Sequence, residues 1–503
     1  MGKNFSLIEV ALPEELISKS IKANFERIAD ILGKSSDLNL ELHGLIQSIG
    51  LAYLKTLTDY RDLQSNLLQP LISLPAGGDL SLSKVAALTP KTAPERCASL
   101  ETAISRLLEG KTLLFLEGEN AALSFTTEGW VKHEPKEPLS ERVIRGPREG
   151  FTETLDDNIG MVRRWIKDFH FRVETLEIGR RTRTKVAVLY LSDIAKPSLI
   201  KEARRRLSAI DIDGVIESGY IEQLIKDHRA SIFPLTQSTE RTDKVAAALL
   251  EGRAAILVDK SPFVIIAPVT VNELYQSPED YYFDFWLGSF LRLIRLLANN
   301  LAIALPGLYV ALVAVNPELL PVHLAITIAG SRVNIPIPLA AEVLILELMV
   351  EIFREAGLRL PGTIGETLGV VSGVVLGLMS VQSGIVSPAT LVVVTITAVA
   401  SFTGPSYSVS ITWRLLKYLL LAGAASFGLF GLTITGVGVL IHASYLKSFG
   451  VSYLAPWAPL LWRDLANGPI RMPFWFRKFR PKTFRPQDRT RSGGVQEEDE
   501  TNE

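Results

Sequence analysis

The pattern of apolar and polar positions changes about half-way along the chain, near Tyr281. Before that point short apolar runs are interleaved with charged and turn-forming residues, as in a globular protein. After it, stretches of about twenty apolar residues follow one another, each long enough to cross a hydrocarbon core. Residues 1 to about 75 are predicted to be helical with short breaks, because Leu38, Leu40, Leu42, Leu45 and Ile46 precede an apolar run from Leu51 to Leu68. A turn-rich segment, Pro75-Ala-Gly-Gly-Asp79, closes that region.

A unit then appears twice. Leu107-Leu-Glu-Gly-Lys111 leads into the apolar run Thr112–Leu116, and Leu249-Leu-Glu-Gly-Arg253 leads into Ala254–Val258. Each copy predicts a helix that ends on a glycine, followed by a strand, since glycine takes the left-handed conformation of a helix C-terminus without strain. In the second copy the expected order is helix Leu155–Phe169, strand Val186–Leu191, helices Lys196–Leu207, Ile221–His228 and Asp243–Leu250, and a closing strand Phe263–Ala267. Alternation of this kind predicts helices covering a sheet. The linker Glu134–Gly150, with Pro135, Pro138 and Pro147, would join the two units.

In the apolar half, Phe283–Leu297 is predicted to lie at or enter the membrane interface. Spans are expected at Leu296–Val315, Ile335–Phe353, Leu368–Val386, Ala389–Ile411 (broken near Pro405) and Leu415–His442, with Leu319–Ala329 too short for a comfortable span. Arg292, Arg295 and the basic tail Arg471–Arg491 place both ends on the cytoplasmic side by the positive-inside rule, which requires an even number of crossings. The fold class is therefore α+β: a soluble N-terminal region of two α/β subdomains (1–134 and 135–280), then an α-helical multi-pass membrane domain of five or six helices (281–446). A cytoplasmic basic tail follows (447–503), its end expected to be disordered.

Composition narrows the chemistry. Lys+Arg 53 against Asp+Glu 54 gives no support to a nucleic-acid partner. Cys97 is alone, and the six histidines lack ligand-like spacing, so neither a disulfide nor a metal site is expected. No cofactor is implied. The start MGKNFSLIEV lacks the apolar core of a secretory signal, although it fits the short myristoylation pattern. Gly110-Lys111-Thr112 resembles the end of a phosphate-binding loop, but Ser105 stands where that loop needs glycine. No nucleophile elbow or Ser/His/Asp arrangement is visible, and no enzyme is expected. Arg180-Arg181, Arg183, Lys185 and Arg204-Arg-Arg206 form either a solvated helix face or a patch for anionic lipid or an acidic partner.

Three features of the membrane half are candidates for function. Gly369, Gly373 and Gly377 share one helical face, and Ala424 and Gly428 repeat the spacing, which lets helices approach closely within one subunit or between subunits. Glu342, Glu347 and Glu351 lie in an apolar segment, where a carboxylate costs at least ~2.5 kcal/mol unless it faces water or a partner. They can line a cation path or make structural bonds to a neighbouring helix. Asn299 and Asn300 are expected to bond between helices.

Longer stretches carry a family resemblance. Arg145-Gly-Pro-Arg-Glu-Gly-Phe-Thr-Glu-Thr154 with Met161-Val-Arg-Arg-Trp-Ile-Lys167, Ile210-Asp-Ile-Asp-Gly-Val215 with Ser218-Gly-Tyr-Ile-Glu-Gln223, and Thr239 to Gly252 are similar to the spore-germination GerA family. Ser277-Pro-Glu-Asp-Tyr-Tyr282, Arg354 to Pro361, Gly384-Ile-Val-Ser-Pro388 and Ser448-Phe-Gly-Val451 extend the resemblance through the membrane half. Trp165 stands where many members carry an arginine, and Thr242 where a proline is frequent. The resemblance implies a germinant-receptor A subunit in the inner membrane of a bacterial endospore, with its soluble domain on the cytoplasmic (core) side. It implies B and C subunits as partners, B binding the nutrient, and a homo-oligomer, a pentamer, that forms a gated cation channel in membrane lipid. Three rival readings are a stage V sporulation AF-type paralogue that amplifies germination, a secondary transporter with inverted repeats, and a non-conducting scaffold.

Overall fold

The computed structural model describes residues 15–44, 48–72, 81–89, 94–129, 137–138, 140–359, 373, 377, 379–465 and 467–491. The duplication expected from the repeated Leu-Leu-Glu-Gly unit is present as two five-stranded antiparallel sheets of matching design. The first has the order β1-β2-β4-β5-β3, from β1 (Leu38–Gly44), β2 (Ser48–Leu54), β3 (Glu95–Cys97), β4 (Thr112–Leu116) and β5 (Ala122–Phe125). The second has the order β6-β7-β9-β10-β8, from β6 (Phe171–Ile178), β7 (Thr184–Leu191), β8 (Gln237–Thr239), β9 (Ala254–Val258) and β10 (Val264–Ala267). Central strands β4, β5, β9 and β10 are buried along their whole length, which is why they read as unbroken apolar runs.

Helices of eight or more residues are numbered α1 (Ile21–Ile31), α2 (Leu100–Leu108), α3 (Leu155–Trp165), α4 (Pro197–Ser208), α5 (Ser218–Ile225) and α6 (Thr242–Leu249) in this region. The helices α2 and α6 end as the repeat predicts: Gly110 has φ +97° and Gly252 φ +85°. Behind them Lys111 N bonds Arg106 O, and Arg253 N bonds Ala248 O. One expectation is corrected. Residues Leu38 to Leu54 form the β1–β2 hairpin rather than helix, with Leu38 paired to Leu54 and Gly44 to Ser48. The alternation Leu38, Leu40, Leu42 is the period of a strand, and β2 is buried on both faces, so its apolar run has no face to read. The strands β6 and β8 were likewise not expected.

The two sheets are joined by a buried ion pair. Arg163 of α3 reaches Asp37 before β1, its Nη2 2.9 Å from Oδ1, and Ser35 Oγ lies 3.2 Å from the same nitrogen. Both side chains are sealed from solvent. Burial alone would raise the Asp37 carboxyl, yet the Arg163 guanidinium and the Ser35 and Thr56 hydroxyls hold it below its ordinary value.

The apolar half forms α7 (Phe285–Val310, continued by a π-helical turn Ala311–Val315), α8 (Val322–Ser331), α9 (Leu339–Arg359), α10 (Pro388–Ser401) and α11 (Tyr407–Tyr445). By length and composition Phe285–Val315 and Ser408–Tyr445 can cross a membrane. The interfacial segment and first span expected separately are thus one helix. The expected break near Pro405 is present between α10 and α11, and the short apolar piece is α8. Nine of the nineteen residues of the expected span Leu368–Val386 lie outside the described residues.

The last expected span, Leu415–His442, is corrected. It is two antiparallel limbs, not one rod, because α11 doubles back at Phe427 (φ −132°, ψ 21°) and Gly428 (φ +58°, ψ −138°). Phe233 touches the rings of both Trp413 and His442, which a straight helix would hold about 40 Å apart. Gly428 supplies the left-handed φ that a side chain rarely tolerates, and Asn316 Oδ1 accepts Leu429 N at 3.0 Å across the turn.

Contacts order the helices. The start of α7 adjoins the second sheet domain, and Asn316 marks its far end. Tyr309 meets Thr390 of α10 at 3.2 Å, whereas Ser401 at the other end of α10 meets Arg354 of α9 at 2.7 Å. Both α9 and α10 therefore run back toward the sheet domain. The first limb of α11 leaves it again (Thr412 Oγ1 to Ile232 O, 2.9 Å), and the second returns to it (His442 to Ser231, 3.2 Å). Among the described residues, Arg359 lies at the near end and Ser380 at the far end, and residues 447–465 and 467–491 rejoin the sheet domain, as in Phe449 N to Asp227 and Gln487 N to Ile194 O.

Candidate functional site

Glu347 and Glu351 of α9 face α11, Glu342 faces Arg332 after α8 and the start of α10, and each of these three carboxylates expected from the sequence has a cation beside it. Glu347 is fully buried and pairs with Lys417, itself 3% exposed, from the first limb of α11. One turn nearer the sheet domain, Glu351 binds Arg414 at 2.6 Å and approaches Arg354 at 3.6 Å and Lys417 at 3.8 Å. Toward the far end Glu342 is fully buried, pairs with Arg332, and accepts Ser387 N at 2.7 Å. Ser387 in turn caps α10, its Oγ accepting Thr390 N at 3.3 Å. Glu342 and Glu351 are nine residues apart, so the seam extends about 13 Å along the helix axis.

The signs along this seam nearly cancel. Arg332, Arg354, Arg414 and Lys417 answer the three carboxylates within one protomer; the Glu351–Arg354 pair is legible in the sequence at i, i+3, whereas the pairs with Arg414 and Lys417 are not. Partners 60 to 70 residues away in sequence, on a helix apolar elsewhere, leave no local pattern. Not every atom is satisfied: Glu347 Oε1, Glu351 Oε1 and Arg354 Nε are buried without a hydrogen-bond partner. Removing one member of such a pair leaves an uncompensated buried charge, at a cost of about 3–5 kcal/mol.

The glycines fall in several places. Gly369 lies outside the described residues. Gly373 and Gly377 have open space where a Cβ would stand, among the described residues. Ala424 is buried on α11, and Gly428 makes the reversal. The tight contacts are elsewhere: a Cβ on Gly423 would meet the Gly431 carbonyl at 2.9 Å, and one on Gly307 would meet Leu432 at 3.0 Å and the Leu420 carbonyl at 3.3 Å. Asn299 and Asn300 do not bond between helices; each donates to the carbonyl four residues back in α7.

At the near end, buried Asp280 binds both Arg292 (3.1 Å) and Arg295 (3.0 Å), and Arg292 also donates to the carbonyls of Asn467 and Gly468 at 2.9 Å. The two arginines that signalled topology thus fasten α7 to the sheet domain and to the C-terminal segment. Beside this joint is a cavity of about 170 Å³ lined by Glu251, Glu273, Gln276, Arg477 and Arg491. Burial and the neighbouring Glu251 push the Glu273 carboxyl up to about 7, against Arg253 and Arg292.

The basic patches have acidic answers. Arg181 pairs with Asp213 at 2.8 Å, Arg204 with Glu174 at 2.7 Å and Arg206 with Asp227 at 2.8 Å, while Arg180 meets Asp211 and Arg205 meets Glu202. They are not a bare cationic face. One group of metal-type ligands comes together, Asp168, His170 and Asp193, with donor atoms within 4.8 Å of one another. The hydrogen bond to Asp168 raises the His170 imidazole, against partial burial.

Comparison with known proteins identifies relatives over most of the chain. The family model described as Bacillus/Clostridium GerA spore germination protein matches residues 19–483. Spore germination protein KA of Bacillus subtilis (strain 168) is 36% identical over 489 residues, covering 95% of this chain and 89% of that protein. Spore germination protein B1 of the same organism is 37% identical over 479 residues, covering 94% and 99%. Spore germination protein GerLA of Bacillus cereus is 39% identical over 387 residues, covering 77% and 79%. Among solved structures, the N-terminal domain of the A subunit of the Bacillus megaterium spore germinant receptor GerK3 is 32% identical. It covers 51% of this chain and 98% of that one, with a TM-score of 0.41.

Proposed function

Because the chain belongs to the GerA family of spore germination proteins, we propose that it is a germinant-receptor A subunit in the inner membrane of the endospore, with its sheet domains on the core side. In this reading it acts with B and C subunits and with copies of itself, as a pentamer, to form a gated cation channel whose opening starts germination. The charged seam of α9 and α11 carries the channel reading. Carboxylates at three depths attract cations, and in this arrangement Lys417 and Arg414 occupy the places that permeating cations would take. The seam is then closed by tethered charges, and movement of α11 away from α9 would open it to ions.

Ion flux through the reconstituted A subunit tests this. Glu347→Gln keeps volume and most hydrogen bonding, so a conducting role predicts normal protein levels and oligomers with flux lowered severalfold. Lys417→Met should raise flux in the absence of nutrient. Single variants strand a buried charge; the double variant Glu347→Gln/Lys417→Met removes both and controls for folding. If the well-folded single and double variants all conduct like the parent, the seam is structural, and the path lies elsewhere in the membrane helices.

A further inference from the structure

The C-terminal segment is not a free tail, and its exposed side is of one chemical kind. From Asn467 to Trp475 it lies as a strap along the first turns of α7. Arg471 N donates to Ser289 Oγ at 3.1 Å, Arg292 holds the Asn467 and Gly468 carbonyls, and the Phe285 and Trp475 rings are 5.9 Å apart. The apolar stretch of α7 long enough to cross a membrane begins at Phe285, so the first turns of α7 and the strap held against them lie where that helix would enter the bilayer.

At that level aromatic rings face outward. Trp475 and Phe476 are each 64% exposed and Phe474 57%, flanked by Trp462 at 74% and by Trp286 and Phe290 of α7 at 75% and 59%. Rings so open to water are costly on a soluble surface but are at home in the interface, where an apolar body and a polar edge are both satisfied. Between Leu454 and Arg491 nine Lys/Arg residues meet only two acids, Asp464 and Asp488. Both acids are engaged internally: Asp464 accepts Thr483 N and Oγ1 at 2.7 Å, and Asp488 pairs with Arg480 at 2.5 Å. Arg463, Lys478 and Lys482 are exposed beside the aromatic belt.

We infer that this strap is a binding surface for anionic phospholipid, its rings seated among the headgroups and Arg463, Lys478 and Lys482 on their phosphates. The surface fastens the end of α7, through Arg292 and Asp280, to the state of the leaflet it rests on. Each cation held near an anionic leaflet strengthens association by roughly fivefold.

Fluorescence of the full chain in vesicles tests this. Trp475 is isolated as the difference between the parent and Trp475→Phe. Brominated phosphatidylglycerol should quench that difference severalfold more than brominated phosphatidylcholine at equal fraction. The preference should vanish in the Arg463→Gln/Lys478→Gln/Lys482→Gln variant while quenching by phosphatidylcholine persists. Equal quenching of the parent by both lipids would overturn the headgroup preference. No quenching by either would mean that protein covers the strap, a second copy or another subunit, and would overturn the lipid surface altogether.

Discussion

Glu273 sits where three parts of the chain meet, and its carboxyl faces Glu251, Arg253, Arg477 and Arg491 across the cavity. Its native value of about 7 stands above the ordinary 4.5. Between those values the folded chain keeps a proton that the unfolded chain has released. Stability is therefore present at lower pH and is lost as pH rises through about 7. Melting of the full chain in detergent, followed from about pH 5 to about pH 8, should show the parent weakening relative to Glu273→Gln over that window. Parallel curves would mean the carboxyl titrates normally. No sequence feature marks Glu273, because its environment is assembled by residues more than 200 positions away in the tail. The same holds for the seam. The carboxylates Glu342, Glu347 and Glu351 were legible as polar residues in an apolar run, while Lys417 and Arg414 were passed over because a single cation in a long helix reads as an interfacial residue.

At the scale of elements, legibility followed periodicity and glycine chemistry. The repeated helix–glycine–strand unit was readable because Gly110 and Gly252 each end a helix in the same way. The β1–β2 hairpin was not, since a strand buried on both faces has no alternation to show. The reversal of α11 was also hidden: both limbs are dominated by apolar residues, and Gly428 is spaced from Ala424 like any small-residue stripe. Gly428 has φ +58°, and Gly423 and Gly431 are in backbone contact across the hairpin. Gly423→Leu has no room for its side chain, whereas Gly436→Ala on the same hairpin would meet its nearest neighbour at an ordinary 3.9 Å. The first should lower the yield of folded protein and its melting temperature markedly, by the ~1–3 kcal/mol or more that overpacking costs. The second should be close to neutral. Equal tolerance of both would mean that the limbs are not packed against each other.

For the whole molecule, the contacts among the described residues put the sheet domains and the strap at one end of the apolar helices and the segment around α8 at the other. Charge then chooses the side. The strap region has a large excess of Lys/Arg next to the apolar helices, which by the positive-inside rule predicts the cytoplasmic side for it. Cys97 is the lone native cysteine and is buried, so a Cys97→Ser background gives a clean reporter. Single cysteines at Lys201 on α4, Lys482 on the strap and His323 on α8, all exposed, report the three places. In sealed vesicles of native orientation, a membrane-impermeant maleimide added outside should label His323→Cys and leave Lys201→Cys and Lys482→Cys unlabelled until the membrane is opened. Labelling of Lys482→Cys alone would put the strap and the sheet domains on opposite faces of the membrane. Labelling of Lys201→Cys and Lys482→Cys with protection of His323→Cys would invert the orientation and place the sheet domains outside.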